Sequence, residues 1–152
     1  MLIKRLCRDL LLSHPEPDNL RIIPTSRDPS DGLALSSRNT YLTVDGRKFA
    51  PTLIQALRAA ETAWAEGHTK TECIARAAAI VEDKMSQART GGLKVNAELD
   101  YLEMNDADSF EVLGPHVRDS DVDLVILSGA LRVDQTRLID NILLGKKDRI
   151  LG

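Results

Sequence analysis

Near residue 92 the hydrophobic pattern of this chain changes period, and that change limits the folds open to it. Upstream, Phe49, Leu53, Ile54, Leu57, Ala60 and Trp64 recur at helical spacing, and Gly67 stands where the stripe stops. This spacing predicts an amphipathic helix from about Val44 to Glu66. Gly46 falls in its first turn, at a cost of about 1 kcal/mol relative to alanine. Thr69 followed by Glu72 predicts a capping box that opens a second helix. Ile74, Ala77, Ala78, Val81 and Met85 form its apolar face, and TGG (Thr90 to Gly92) ends it. The short GHT connection makes the pair an antiparallel hairpin. Downstream, AELDYLEMND alternates around Leu99, Tyr101 and Glu103. VDLVILSGALRV is an aliphatic strand, and TRLIDNILLG is another, separated from it by the turn residues Asp134 and Gln135. Helices first and strands afterwards define an α+β chain: a small, mostly antiparallel three-stranded sheet with the helix hairpin on one face.

A chain of 152 residues suffices for one domain with a proper core. Aromatic residues make up only 3% of it, so that core is built from Leu, Ile, Val and Ala. The net charge of −3 provides no general attraction to nucleic acid or anionic membrane, so any anion site must be local. Cys7 and Cys73 lie in apolar-periodic segments without metal-ligand spacing, as in a reducing compartment. No apolar run reaches the roughly 18 residues of a membrane span. Charges at Lys4, Arg5, Arg8 and Asp9 interrupt the basic, apolar start, and no small-residue cleavage site follows. A cytoplasmic location is the expectation.

Residues 2–13 show helical periodicity through Leu2, Ile3, Leu6, Cys7, Leu10 and Leu11. HPEPDN ends that helix, and LRII (Leu20 to Ile23) reads as a short strand. A helix and strand without the rest of a sheet look like the end of something larger. Residues 25–43 follow as a long loop rich in Ser, Asp, Pro and Gly, a length more often functional than not in a compact domain.

Within this loop, DGLALSSRN concentrates groups suited to phosphate. Ser36 and Ser37 offer hydroxyls, Arg38 a planar fork, and Gly32 a close backbone approach. A helix beginning after Asn39 would add backbone N–H donors. The same string also reads as a helix N-cap segment with a solvated arginine, and residue types alone leave both readings open. Other strings point to packing. DKMSQ (Asp83 to Gln87) resembles the lysine–methionine–serine loop of class I aminoacyl-tRNA synthetases, but Met85 is in register with a helix's apolar face. His14, His68 and His116 lack zinc-site spacing, Cys73 reads as buried rather than reactive, and RDSDVD reads as a solvated turn.

The string PTSRDPSDGLALSSRNTYLT (Pro24 to Thr43) resembles the signature of the pantoate–β-alanine ligase family. The resemblance extends over nearly the whole chain, through LIKRLCRDL, ELDYLEMND and LSGALRVDQTRLIDNILL, and SHPEPDNLRIIPT is closest to fungal members. It implies that residues 1–24 are a remnant of an N-terminal Rossmann-like nucleotidyl transferase domain and residues 25–152 a C-terminal lid domain. The family's histidine motif and glycine–lysine–aspartate segment are not in this sequence. The implied reaction joins pantoate and β-alanine through pantoyl adenylate, releasing pyrophosphate and AMP. Ser36, Ser37 and Arg38 are implied to bind the phosphates of ATP, and Leu35 and the backbone near Ser26 to border the nucleotide. Magnesium is implied to accompany ATP, with no metal ligand and no catalytic residue assigned in this chain. The chain alone is expected to be inactive. A different class of reading is a non-catalytic, self-associating module, a homodimer formed through the apolar stripe of residues 2–11. Nucleic-acid binding is disfavoured by the acidic balance.

Overall fold

The computed structural model describes residues 25–146. The expected leading helix and strand, together with Cys7 and His14, lie outside the described residues. So does the stripe on which self-association was expected to rest.

The helical half begins with α1 (Val44–Phe49) and continues with α2 (Thr52–Ala65) and α3 (Lys70–Thr90). Where one helix was expected from Val44 to Glu66, there are two. Pro51 has no N–H to return to the carbonyl of Arg47, so the ladder breaks and restarts with Pro51 at the N-cap of α2. The apolar stripe survives the break, with Phe49, Leu53, Ile54, Leu57, Ala60 and Trp64 all buried. Gly46 also reads differently in three dimensions. A Cβ there would lie 3.0 Å from Thr43 Oγ1, 3.1 Å from Asp134 Oδ2 and 3.2 Å from Val133 Cγ1. The missing side chain lets α1 settle onto the turn between the last two strands, which offsets the glycine's poor helix propensity.

The hairpin of α2 and α3 turns through Glu66–Thr69, with Gly67 at a φ of +82°. The expected capping box is present: Glu72 N–H donates to Thr69 Oγ1, and Thr69 N–H donates to Glu72 Oε2 at 2.7 Å. At the other end of the helical half, Lys94 N–H donates to Asp45 Oδ2 at 3.0 Å, tying the start of α1 to the approach to the sheet. These bonds hold both carboxyls below their ordinary range, Glu72 chiefly through Thr69 N–H and Asp45 chiefly through Lys94 N–H. Folding therefore favours the ionised forms. The resulting stability is complete above the ordinary values of 4.5 and 3.8 and is lost as pH falls through and below them. Urea midpoints are expected to decline between about pH 5 and pH 3, and less steeply in Glu72→Gln. Superimposable profiles for the two proteins would remove this role from Glu72.

The sheet comprises β1 (Ala97–Asp106), β2 (Leu124–Val133) and β3 (Thr136–Gly145), antiparallel in the order β1-β2-β3. Val125, Leu127, Leu131 and Val133 of the central strand are buried under the helices. The alternation expected on β1 holds only for its first half. A bulge between Leu99 and Tyr101 leaves Asp100 unpaired and reverses the phase of the strand. Leu102 and Met104 consequently face the core opposite Gly129 and Leu127, whereas Tyr101 and Glu103 do not. Asp134 makes the tight β2–β3 turn at a φ of 54°, with Val133 paired to Thr136. Its carboxylate accepts Thr43 Oγ1–H at 3.0 Å and Asn96 N–H at 2.9 Å, locking the turn to both neighbours. The expected turn in RDSDVD is a short 3-10 segment, Asp119–Asp121, that stays exposed. Met85 packs against the core, as its register requires.

Candidate functional site

The loop before α1 is more ordered than its composition implies. Arg27 and Ala34 form an isolated antiparallel bridge, and Leu35 N–H donates to Ser26 O at 2.9 Å. Between the arms, Asp28 N–H donates to Leu33 O, and Gly32 turns at a φ of +78° to return its N–H to Asp28 O. Only glycine adopts that φ without strain. Leu33 is the loop's buried apolar anchor. This miniature hairpin reaches the outer edge of β3, the side not paired to β2, through Arg27 and Asn141 O.

The next five residues, Ser37–Tyr41, form a 3-10 turn rather than the helix considered after Asn39. Ser36 caps it by accepting Arg38 N–H at 3.2 Å, and Asn39 Nδ2–H donates to Ala34 O at 3.0 Å. The α-helix itself waits until Val44, where Thr43 accepts Gly46 N–H. The N-cap reading of SSRN and its reading as an exposed donor cluster are thus compatible. Ser36 caps with its oxygen, and Ser36, Ser37 and Arg38 all remain exposed.

Three arginines belong to this region, and their surroundings separate them. Arg27 makes a two-pronged contact with Asp140 of β3, Nη1 to Oδ2 at 2.5 Å and Nη2 to Oδ1 at 2.9 Å. Arg47 of α1 bonds Asp31 and also Asp28, the latter at 2.8 Å. Arg38 has no hydrogen-bond or ion-pair partner for its guanidinium among the described residues. The loop's acids are accounted for in the same way. Ser30 through its hydroxyl and N–H, with Arg47 behind it, holds the Asp28 carboxyl below its ordinary range, and Asp31 raises Arg47.

Beside the turn is a small cleft of about 70 Å³. Ser36, Arg38 and Asn39 line one side, and Arg137, Leu138 and Asp140 of β3 line the other. Ser26, Leu35 and Ser37 are not part of its lining. Ser26 and Leu35 are paired across the small hairpin, with Leu35 57% exposed. The Ser36 hydroxyl at the cleft, the Ser37 hydroxyl next to it on the turn and a guanidinium without a partner among the described residues suit a multiply charged phosphate, not a bare cation, since Asp28, Asp31 and Asp140 are held by arginines. No group of three or more metal-ligating side chains occurs among the described residues. Cys73 is buried, and burial pushes its thiol up to about 11, which leaves it chemically inert at neutral pH. No helix among the described residues is long and apolar enough to cross a membrane.

Arg27 lies inside the string that carries the family resemblance, but nothing local pairs it with Asp140, and no sequence signal singles out Arg47 or Asp140. The acids that hold Arg47 are 19 and 16 residues from it, and Asp140 lies 113 residues from Arg27. Spacing rules reach only a few positions along a helix or strand.

Sheet, hairpin and capped turn together define an α+β domain with an exposed, anion-compatible turn at one sheet edge. Comparison with known proteins makes that class specific. The profile of the family described as pantoate-beta-alanine ligase matches residues 1–143, and the chain belongs to that family. It is 36% identical over 144 residues to a pantothenate synthetase of Herpetosiphon aurantiacus, covering 95% of this chain and 46% of the relative. A pantothenate synthetase of Paramagnetospirillum magneticum is 40% identical over 144 residues, covering 92% of this chain and 42% of the relative. Among solved structures, a pantothenate synthetase from Thermus thermophilus superposes with a TM-score of 0.65 at 30% identity, covering 92% of this chain and 44% of that one. The chain spans less than half the length of the relatives it matches.

Proposed function

We propose that this chain supplies the ATP-closing, C-terminal part of a pantothenate synthetase, a cytoplasmic enzyme. Residues 25–152 act as its lid, and residues 1–24 are the end of a Rossmann-like domain. In the reaction, the pantoate carboxylate attacks the α-phosphorus of ATP and pyrophosphate leaves. The amine of β-alanine then attacks the acyl carbon of the adenylate, expelling AMP. Ser36, Ser37 and Arg38 take up the charge that develops on the departing pyrophosphate, and Ser26 and Leu35 border the nucleotide. Closure of the lid keeps water from the acyl adenylate. A magnesium ion bound with the nucleotide would offset phosphate charge, and no residue of this chain is assigned to hold it. The observation that carries this reading is the pattern of pairing: Arg27 and Arg47 are held by carboxylates, while Arg38, beside Ser36 at the cleft, has no partner for its guanidinium among the described residues.

A nitrogen–proton correlation titration of the 152-residue chain with millimolar MgATP tests it. Weak binding is expected, with shifts concentrated at Ser36, Ser37 and Arg38. Arg38→Ala should weaken it by about tenfold or more, as loss of a charge-assisted contact implies. Shifts indifferent to Arg38→Ala would overturn the assignment. With pantoate, β-alanine and MgATP, the chain alone is expected to release no AMP. Measurable turnover would show that the histidine and lysine–aspartate motifs are dispensable.

A further inference from the structure

The turn that carries Ser36–Arg38 has little of its own to hold it. None of its five residues is buried, and its internal bonds are a serine cap and short-range 3-10 contacts. It is anchored on both sides: downstream, Leu42 packs against the core and Thr43 bonds Asp134, and upstream a charged pair ties the hairpin to the sheet. The Arg27 guanidinium bonds its own hairpin at Gly32 O (3.2 Å), the carboxylate of Asp140 (2.5 and 2.9 Å) and the sheet edge at Asn141 O (3.4 Å). Asp140 is only 7% exposed and sits on the core side of β3, opposite Gly129. One planar group therefore joins both arms of the hairpin to a buried point on the sheet. The hairpin passes that constraint to the turn through Leu35 N–H to Ser26 O and Asn39 Nδ2–H to Ala34 O.

We infer that Arg27 and Asp140 form a positioning pair: Asp140 lines the cleft with its carboxylate engaged by Arg27, and the pair orients Ser36 and Arg38 toward a bound polyphosphate. The inference rests on the phosphate reading of Arg38 given above. A lysine at position 27 would keep the charge but lose the fork that reaches Gly32, Asp140 and Asn141 together. Removing one partner also leaves the other charge unpaired. The double variant Arg27→Gln with Asp140→Asn removes both charges at once and leaves two amides that can bond each other.

The probe is inorganic triphosphate, followed through the Arg38 Nε–H resonance of the 152-residue chain. The amides of Leu127 and Leu131 in β2 report whether the core is intact. Each single variant and the double variant should weaken triphosphate binding about tenfold, while the β2 amides keep their native shifts and slow exchange. The double variant should be no weaker than the singles, because the two residues act as one unit. Native-like triphosphate affinity in the folded double variant would overturn the pair's role. An Arg38 resonance in the native chain that ignores triphosphate would instead overturn the phosphate reading, and the positioning role with it.

Discussion

Leu57→Ala should lower the free energy of unfolding by about 3 to 4 kcal/mol. Leu57 sits midway along α2 with 0% of its surface exposed, in a core that reaches from the helix hairpin to β2 and β3. Removing its branched end deletes buried methyl groups and leaves a cavity that neighbours refill only in part. The surroundings make refilling hard. The chain is 3% aromatic, so few large side chains can swing into the space, and much of the facing helix surface is alanine. With a total stability of roughly 5 to 15 kcal/mol for a domain of this kind, the loss is a large fraction. Urea denaturation at pH 7 would show it as a lower midpoint at unchanged slope, and melting should fall by roughly 10 °C. A loss under about 1 kcal/mol would mean that the hairpin is not packed on the sheet at this point.

A second large effect is expected where strand propensity points the other way. Valine is a good strand former and glycine a poor one, so Gly129→Val looks favourable on propensity grounds. In the fold, a Cβ at position 129 would lie 2.8 Å from Leu102 Cδ2, 3.2 Å from Leu53 Cδ1 and 3.3 Å from Tyr101 O. The two leucine tips can yield, but the carbonyl belongs to the sheet ladder and cannot. Valine adds two further methyl groups to that crowding. Overpacking of this kind costs about 2 to 3 kcal/mol. The measurement is again the urea midpoint, and a neutral or stabilising result would show that α2 does not press on the sheet at Gly129. The phase reversal at Asp100 contributes to this contact, because it is what brings Leu102 to the inner face.

These two residues also mark where sequence reasoning reached and where it stopped. Leu57 was legible as core, because helical spacing is a local property that its immediate neighbours display. The same holds for the Thr69–Glu72 box and for β3, whose limits at Thr136 and Gly145 match the expected segment. Gly129 was not legible, since the groups that crowd it belong to β1 and α2, far from it in the chain. The bulge at Asp100 escaped because one unpaired residue inverts a period-two pattern without altering composition. Pro51 is a different case. It was visible, and the break before α2 could have been read from it.

In the loop, residue types left Ser36, Ser37 and Arg38 open between a solvated cap and a phosphate grip, and family resemblance favoured the second. Which of the nearby arginines is engaged by carboxylates could not be read from the chain. That is settled when Asp140 on β3 meets Arg27, and Asp28 and Asp31 meet Arg47.

Helix, strand and cap formation follow from steric and hydrogen-bonding preferences that act within a few residues, so the linear order of side chains was enough to specify α3, the three strands and the apolar stripe of α2, though not the break that opens α2. Charge pairing, bulge phase and close approach depend on groups far apart in the chain. They took their values here only once the hairpin had closed on the sheet and the loop had closed on its edge, because electrostatic and packing energies fall away over a few ångströms of space rather than a few positions of sequence.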